Sequence, residues 1–236
     1  MNDSKEFAAL AEVVSGRHSV RAFLPTAVAT DTLNDILQLA GEAPSGTNLQ
    51  PWRVHVLTGA ARQRLVDVVC EAFDSTVGQP KENNPYQAEY DYYPREFFGD
   101  YLARRRKVGF DLYALLGIGK GDSAKMAAQH RRNLQFFDAP VGLIFSIDRR
   151  MGKGSWLDYG MFLQNIMLLA KAHGLDTCPQ AAWTDYHSII GQHLGFGEQE
   201  QLVCGMALGY ADNSAVENSL VTERAALDQF VVRHAG

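Results

Sequence analysis

The most informative stretch of this sequence is Gly41-Glu42-Ala43-Pro44-Ser45-Gly46-Thr47-Asn48-Leu49-Gln50-Pro51-Trp52. Before it, residues 33–40 carry apolar side chains at the spacing of one helix face, and Gly41 and Pro44 end that helix. After it, residues 53–57 alternate between apolar and polar side chains, as a strand does. The turn between them is rich in hydroxyl and amide groups, which both donate and accept hydrogen bonds. The pattern predicts a helix–turn–strand unit whose turn either only connects or also holds a polar ligand.

A second polar segment, Arg17-His18-Ser19-Val20-Arg21, follows a helix that we predict between Ser4 and Gly16. Guanidinium groups on either side of a hydroxyl suit a phosphate, because arginine forms charge-assisted, bidentate hydrogen bonds and the hydroxyl adds a neutral donor. A solvated loop is the alternative and the usual fate of such a cluster. Residues 22–25 follow at once and are apolar, so the segment is tethered to the protein rather than free.

The composition is that of one ordinary globular domain: 236 residues, 46% hydrophobic and 21% charged. A net charge of −5 and a pI near 5.8 argue against a nucleic-acid-binding protein, which usually has a basic footprint. No apolar run approaches the ~18 residues that span a bilayer, and residues 1–6 lack the basic and apolar regions of an export signal. We therefore expect a cytoplasmic protein with no nucleic-acid or membrane partner.

The sequence lacks the motifs of a metal site or of nucleophilic catalysis. Its three cysteines, Cys70, Cys178 and Cys204, are far apart and fit buried free thiols better than a disulfide or zinc site. No GxSxG or HExxH motif occurs, and the glycine-rich residues 117–123 match neither a P-loop nor GxGxxG, which makes them a turn. Phosphate-ready loops without a nucleophile or metal ligands indicate that a bound cofactor carries the chemistry.

Residues 78–100 break the regular pattern with three prolines and six aromatic rings. A loop this long in a compact domain usually covers a functional site, and the alternative is a peripheral insertion packed on its own rings. A helix is predicted at 101–116, where we expect the basic residues 104–107 to be a solvated face. Together with the next predicted helix, at about 122–137, this makes residues of about 78–135 an expected cover over the active site.

The second half of the chain contains two apolar runs, at 141–147 and 202–210, that we expect to be buried strands. Between them, residues 156–172 are apolar on most of their circumference, which predicts a central buried helix. Either Ser155 or Asp158 is suited to be the N-cap of that helix.

Polar groups in this half need partners or offer binding capacity. Gln164 and Asn165 lie inside the central helix, where an unpaired buried amide costs ~1–3 kcal/mol. Pro179 interrupts the strand predicted at 175–183, so part of its backbone is free to contact a ligand. Residues 211–236 lack a core of their own, and we expect them to wrap over another surface, such as a second subunit.

Two segments in order, Arg17-His18-Ser19-x-Arg21-Ala-Phe and Ala43-Pro44-Ser45-x-x-Asn48-x-Gln50-Pro51-Trp52, resemble the signatures of the nitroreductase family of flavoenzymes. Trp156-x-Asp158-x-Gly160, the helix into Gly174-Leu175 and the strand from Gly205 to Asp212 are similar to the second half of the same family. The resemblance runs from about residue 7 to the end of the chain, and the motifs are specific in combination.

The resemblance implies an α+β, nitroreductase-like fold with a mixed central sheet flanked by helices, in which residues 1–236 form a single FMN-binding domain. It also implies an intertwined homodimer with one FMN at each interface and residues of about 211–236 as a C-terminal arm over the partner subunit. The first motif would hold the FMN phosphate and ribityl chain, the turn would reach the flavin of the partner, and the segment after the central helix would contact the ring. The cofactor-binding residues so implied are Arg17, His18, Ser19, Arg21, Pro44, Ser45, Gly46, Asn48, Pro179, Gln180, Ala181, Ala182 and Arg224.

The activity implied by the resemblance is an FMN-dependent oxidoreduction that uses NAD(P)H to reduce nitroaromatic or quinone-type acceptors by ping-pong hydride transfer. No catalytic residue and no metal is identified. Rings of the cover would line the slot for a small aromatic acceptor, and the candidates are Tyr86, Tyr92, Phe97, Phe110 and Tyr113. The alternatives are a related reductive dehalogenase, a flavin-fragmenting enzyme, or a flavin-binding module without turnover.

Two positions depart from the family pattern. Ala181-Ala182 stands where some members have Glu-Gly, so side-chain contacts to nicotinamide or substrate do not carry over to this chain. Thr222 stands where some members place lysine, which leaves the expected phosphate site one cation poorer.

Overall fold

The fold is a four-stranded sheet between two layers of helices, seen in a computed structural model that describes residues 4–234. The helices are α1 (Lys5–Gly16), α2 (Thr30–Ala40), α3 (Gly59–Asp74), α4 (Gly99–Leu115), α5 (Ser123–Asn133), α6 (Lys153–Ala172) and α7 (His187–Leu194). The strands are β1 (Arg53–Thr58), β2 (Val141–Asp148), β3 (Asp176–Gln180) and β4 (Glu200–Gly209).

The strands are ordered β1-β2-β4-β3, and every neighbouring pair is antiparallel. A register shift between Phe145 and Ser146 leaves Val203 of β4 without a pairing partner in β2. Parallel pairing among the described residues is limited to one bridge, between Ser19 and Thr177. The predicted α+β arrangement is therefore confirmed, but the sheet is mixed only through that bridge, because the first motif touches β3 at a single residue.

Hydrophobic clusters lie on both faces of the sheet. Side chains alternate along a strand, and in β2 Ile144 packs with α3 and α7, whereas Leu143 and Phe145 pack with α2 and α6. Residues 141–147 of β2 are buried throughout. This confirms the prediction of a strand covered on both faces.

Several helix boundaries were readable from the sequence. The Ser4 Oγ accepts a hydrogen bond from the Phe7 N–H at 3.1 Å, so α1 begins where the cap was predicted. α2 ends directly before Gly41. The glycine-rich residues 117–123 connect α4 and α5, as a turn should.

The N-cap predicted for the central helix is wrong. α6 begins at Lys153, with Gly152 before it, so Ser155 and Asp158 both lie inside the helix. The carboxylate of Asp158 has a longer-range partner instead, because its Oδ2 accepts a hydrogen bond from the Gly46 N–H at 3.0 Å. Asp158 therefore anchors the turn before β1 to the N-terminal part of α6.

The predicted cover, residues 78–135, contains α4, α5 and the irregular segment that precedes α4. The described part of the predicted arm, residues 211–234, contains two short 3-10 helices. The two regions meet where Lys107 of α4 lies 3.5 Å from the carboxylate of Glu223. Their roles as an active-site cover and as an arm over a partner subunit stay predictions.

The three cysteines are buried free thiols, as predicted. Burial raises the pKa of each thiol, to about 11 for Cys70 and Cys178 and to about 12 for Cys204, so the sulfurs stay protonated at neutral pH. Residues 4–234 contain no cluster of His, Cys, Asp or Glu that could hold a metal ion. No helix in that part of the chain has the length and apolar character needed to cross a membrane.

Candidate cofactor site

A cleft of about 630 Å³ lies between the end of α1, the middle of α6 and the C-terminal segment. It brings together Arg17 and His18 of the first motif with Arg224, near the other end of the chain. Gln164 of α6 and Thr222 add an amide and a hydroxyl. The other lining residues are Val14, Ser15, Asn218, Ser219, Leu220 and Val221. Three of the predicted cofactor-binding residues thus share one site.

Asn218 holds the C-terminal segment against the first motif. Its Oδ1 accepts a hydrogen bond from the Arg21 N–H at 2.7 Å, and its Nδ2 donates to the Ala22 carbonyl at 2.8 Å. Beside it, the buried carboxylate of Glu217 forms an ion pair with Arg132 of α5. These contacts fix the position of the C-terminal segment that carries Arg224.

The cleft is cationic. None of its lining residues is an aspartate or glutamate. The Arg17 guanidinium forms no hydrogen bond or ion pair within residues 4–234, and Arg224 Nη1 donates to the Thr222 Oγ1 at 2.7 Å. One guanidinium group can donate two parallel hydrogen bonds to two phosphate oxygens. Two arginines without a neutralising carboxylate therefore form a site suited to a phosphate.

The side chains of the first motif lie in two different places, on either side of Ser19. The Ser19 backbone bridges to Thr177 of β3. The Arg21 side chain turns the other way: its Nη1 donates to the Ser19 carbonyl at 3.1 Å, and it lines a separate pocket of about 80 Å³ with Tyr113. The structure therefore does not place the guanidinium of Arg21 in the cleft with Arg17.

Residues 179–182 extend from β3 along the same edge as the Ser19 bridge. The Gln180 amide is buried and already used, since its Nε2 donates to the Asn133 carbonyl at 2.6 Å and its Oε1 accepts from the Trp183 indole at 3.4 Å. Pro179 is exposed and the two alanines are half-buried. A ligand at this segment would contact backbone and apolar surface rather than polar side chains.

The turn at 44–50 is exposed and strained. Thr47, Asn48 and Gln50 have φ values of 49°, 59° and 48°, a left-handed region that residues other than glycine rarely adopt. The Ser45 Oγ supports this shape by accepting a hydrogen bond from the Gln50 N–H at 3.0 Å. Strain of this kind concentrates at functional sites. Within one chain, the cavity that Gln50 lines shares no residue with the cationic cleft.

The irregular segment before α4 is attached to the free edge of β4. β3 ends before it reaches residues 200–204, which therefore have no strand on that side. Glu89 Oε2 accepts a hydrogen bond from the Leu202 N–H at 2.9 Å, and the Tyr90 hydroxyl donates to the Val203 carbonyl at 2.5 Å. Two side chains thus take the place of the missing strand and hold the segment on the sheet.

The five slot candidates lie in different places. Tyr86 packs against the core between α3 and α7. Tyr92 contacts Tyr93 edge-to-face, and Phe97 contacts the same ring at a tilted angle. Phe110 is exposed on α4, and Tyr113 lines the small pocket described above. The structure does not gather these rings in one slot within a single chain, and their role in acceptor binding stays a prediction.

Removing the Tyr90 hydroxyl should loosen the segment before α4. Tyr90→Phe keeps the ring, whose centroid lies 4.6 Å from that of Trp156, and leaves the Val203 carbonyl unpaired. We expect a loss of ~0.5–1.5 kcal/mol in unfolding free energy and faster amide hydrogen exchange in residues 86–98. Tyr101→Phe is the control, since that ring is exposed. Equal exchange in both variants would mean that the hydroxyl does not hold the segment.

A buried polar cluster outside the predicted site centres on Glu200. Its carboxylate accepts a hydrogen bond from the Ser146 Oγ at 2.5 Å and lies 2.8 Å from His55 Nε2 and 3.1 Å from Arg53 Nη1. Burial raises the pKa of this carboxyl, but the hydrogen bonds from Ser146 and His55 outweigh burial, so the pKa is lowered from its ordinary value. The Ser146 hydroxyl is fully buried, which indicates that the cluster joins β1, β2 and β4 rather than performing catalysis.

The Glu200 cluster should make stability depend on acid pH. A carboxyl whose pKa is lowered on folding stabilises the protein above its ordinary pKa, and this stabilisation is lost as the pH falls through the folded pKa. We expect Glu200→Gln to lower the unfolding free energy by ~1–3 kcal/mol at pH 7, and by less near pH 3, because wild-type Glu200 takes up protons as the pH falls. Urea denaturation of both proteins at the two pH values measures this. An equal difference at both would contradict it.

Sequence patterns did not identify every residue that the structure places at the cleft. Asn218 was not singled out, because an isolated asparagine in a polar segment carries no local pattern. The sequence marks Gln164 only as an amide that needs a partner in an apolar helix, and the structure places it at the wall of the cleft. Its neighbour Asn165 finds its partner in the Ala40 carbonyl, at 3.4 Å from Nδ2.

An antiparallel sheet between two layers of helices defines an α+β protein, and its cationic cleft brings two arginines and a histidine together without a carboxylate. The chain belongs to the nitroreductase family: the sequence model of that family, described as "Nitroreductase family", matches residues 14–210.

Relatives with named activities share most of its length. The chain is 41% identical over 218 residues to a 4-nitrobenzoate reductase of Pseudomonas putida, covering 92% of each sequence. It is 39% identical over 219 residues to a nitrobenzene nitroreductase of Ectopseudomonas oleovorans, covering 93% of this chain and 94% of that one.

Solved structures share the fold. The FMN and NADPH-dependent nitroreductase NfnB of Sphigopyxis sp. strain HMH superimposes with a TM-score of 0.89 at 39% identity, covering 96% of this chain and 99% of that one. The FMN-dependent nitroreductase NfnB of Mycobacterium smegmatis, solved in complex with NADPH, superimposes with a TM-score of 0.87 at 32% identity, covering 97% and 99%. These similarities confirm the fold expected from the two sequence motifs.

Proposed function

We propose that this protein is a cytoplasmic, homodimeric, FMN-dependent oxidoreductase that uses NAD(P)H to reduce nitroaromatic or quinone-type acceptors by ping-pong hydride transfer. The observation that carries the proposal is the cleft in which Arg17, His18 and Arg224 meet without a carboxylate. Its relatives support the chemistry, because they include reductases of nitrobenzoate and nitrobenzene and nitroreductases dependent on FMN and NADPH.

The residues of the cleft fit the phosphate end of FMN. A phosphate monoester carries roughly −1.5 to −2 charges at neutral pH, which the guanidinium groups of Arg17 and Arg224 would balance. Gln164 and Thr222 offer neutral groups for the ribityl hydroxyls. Ser19 connects the cleft to β3, so residues 179–182 are available to the ring through their backbone. Bound there, FMN would supply the ring that takes hydride from the reductant and passes it to the acceptor.

Unpaired apolar surface supports the homodimer. One face of α1 leaves Phe7 63%, Leu10 57% and Val14 48% exposed, and on α6 Leu157 is 74% exposed. Such a surface is typical of a protein–protein interface. In the dimer, the strained turn at 44–50 would lie against the cofactor held by the partner, which accounts for its distance from the cleft of its own chain.

The reductant and the acceptor would use the same side of the cofactor in turn, an arrangement that gives ping-pong kinetics. Glu89 and Tyr90 attach to β4 a segment of contacting aromatic rings that includes Tyr92 and Phe97. We assign this segment to the wall of the acceptor site, where a flat apolar slot needs few polar groups.

An anaerobic half-reaction experiment tests the proposed function. The protein loaded with FMN should lose its flavin absorbance rapidly on addition of NADPH or NADH, and 4-nitrobenzoate or a quinone should restore it. Bound flavin that neither reductant bleaches would indicate a flavin-binding module. Bleaching without reoxidation by these acceptors would favour a dehalogenase or a flavin-fragmenting enzyme. A protein that binds no FMN would refute the proposal altogether.

A further inference from the structure

A second cleft, of about 340 Å³, lies between α4 and the C-terminal segment. Its wall on α4 is one helix face, since residues 104, 107, 108 and 111 follow the i, i+3, i+4, i+7 spacing. The lining residues are Arg104, Arg105, Lys107, Val108, Asp111, Thr222 and Glu223. This is the basic run that the sequence predicted to be a solvated face.

The carboxylates of this cleft are already paired with Lys107, whereas its two arginines have no ion-pair partner among the lining residues. Lys107 lies 2.8 Å from Asp111 and 3.5 Å from Glu223, so one cation partly neutralises both acidic residues. Arg104 has only a 3.9 Å ion pair with Asp100, between exposed groups, and a surface pair of that kind contributes little. The cleft therefore retains positive charge available to an anion.

Arg105 is oriented by an aromatic ring. Its guanidinium carbon lies 4.4 Å from the centroid of Phe97, a geometry that holds the planar group and leaves its N–H groups free to donate. Val108 adds apolar surface to the same cleft. Arg106 lies about 200° around the helix from Arg104 and does not line the cleft.

The α4 cleft and the cationic cofactor cleft are adjacent, because Thr222 lines both. A ligand bound at the cofactor that also reaches the α4 cleft would place a group beside Arg104 and Arg105, and an anionic group would suit that position. A nicotinamide dinucleotide is such a ligand, because it carries phosphate groups away from the nicotinamide ring that reacts with the flavin. A phosphate monoester in this cleft would accept hydrogen bonds from the guanidinium groups of Arg104 and Arg105, which both line it.

We infer that the α4 cleft binds the 2′-phosphate of NADPH, with Arg104 and Arg105 as its donors, and that it thereby selects NADPH over NADH. The inference rests on the proposed function, in which a nicotinamide dinucleotide is the reductant. NADPH and NADH differ only in this phosphate, so a site for it changes the affinity for one reductant and not for the other.

The inference is tested by steady-state kinetics of the FMN-loaded protein with both reductants. The double variant Arg104→Ala/Arg105→Ala should raise the KM for NADPH about tenfold or more, the scale of lost bonds to a charged group. Its KM for NADH, its kcat and its FMN content should not change. Arg106→Ala on the opposite face of α4 should change none of these quantities. A KM for NADPH that does not rise, or an equal rise for both reductants, would overturn the inference.

Inhibition by fragments supplies a second measurement on the wild-type protein. We expect 2′,5′-ADP, which carries the additional phosphate, to compete with NADPH about tenfold more strongly than 5′-AMP does, and the double variant to lose that difference. Equal inhibition by both fragments in the wild type would overturn the site. These results are distinct from failure of the proposed function, in which neither NADPH nor NADH reduces the bound flavin.

Discussion

Replacing either Arg17 or Arg224 by alanine is expected to weaken FMN binding by ~1.5–3 kcal/mol, about 10- to 150-fold in Kd. Both side chains line the 630 Å³ cleft, and no carboxylate there competes with a phosphate for them. The Arg17 guanidinium has no hydrogen-bond or ion-pair partner among the described residues. The Arg17→Ala change should therefore remove cofactor contacts with little effect on the fold. Fluorescence titration of the apoprotein with FMN measures the change.

Arg64→Ala is the control for these two variants, since Arg64 is an exposed residue of α3 and lies outside the cleft. It removes the same charge from the protein as a whole. We expect its FMN affinity to equal that of the wild type. FMN binding that is unchanged in both Arg17→Ala and Arg224→Ala would contradict the assignment of the cleft.

The second large effect is expected from adding one methyl group at Gly205. A Cβ at this position of β4 would lie 2.8 Å from the Trp183 Nε1 and nearer still to its Cδ1. Trp183 cannot yield easily, because it is fully buried and stacks on Phe136 with the ring centroids 4.2 Å apart. Overpacking of this kind costs ~1–3 kcal/mol, so Gly205→Ala should lower the midpoint of thermal unfolding by several degrees.

Gly109→Ala serves as the control for overpacking. Gly109 lies within α4, and a Cβ there would meet nothing within 4 Å. Alanine favours a helix over glycine by ~0.5–1 kcal/mol, so this variant should be as stable as the wild type or slightly more. A Gly205→Ala protein as stable as Gly109→Ala would show that the sheet and Trp183 are less tightly packed than the structure indicates.

Local sequence patterns correctly predicted those parts of the fold that are determined by residues close together in the chain. The Ser4 cap, the end of α2 at Gly41 and the doubly buried run of β2 each depend on a few consecutive residues. The predicted N-cap of α6 was wrong because an aspartate can either cap a helix or accept a hydrogen bond from a distant N–H. Asp158 does the second, with Gly46 as the donor. The partner of Asp158 lies in a distant segment, so the residues next to Asp158 in the sequence do not reveal which role it has.

Contacts between distant segments account for what the sequence did not predict. The family resemblance implies that Arg224 binds the cofactor, but the residue that brings its segment to the cleft, Asn218, acts on the Arg21 backbone across 197 positions. The attachment of Tyr90 to the edge of β4 is equally long-range. Arg21 shows the converse case: its side chain lies outside the cleft, because Asn218 holds its backbone N–H and its guanidinium donates to the Ser19 carbonyl.

The central claim is that the cleft of Arg17, His18 and Arg224 recognises the phosphate of a flavin. Comparing the affinities of the apoprotein for FMN and for riboflavin, which lacks the phosphate, tests it most directly. The account predicts that the wild type binds FMN about 100-fold more tightly than riboflavin, and that Arg17→Ala and Arg224→Ala weaken binding of FMN alone. Equal affinity of the wild type for the two flavins would contradict it.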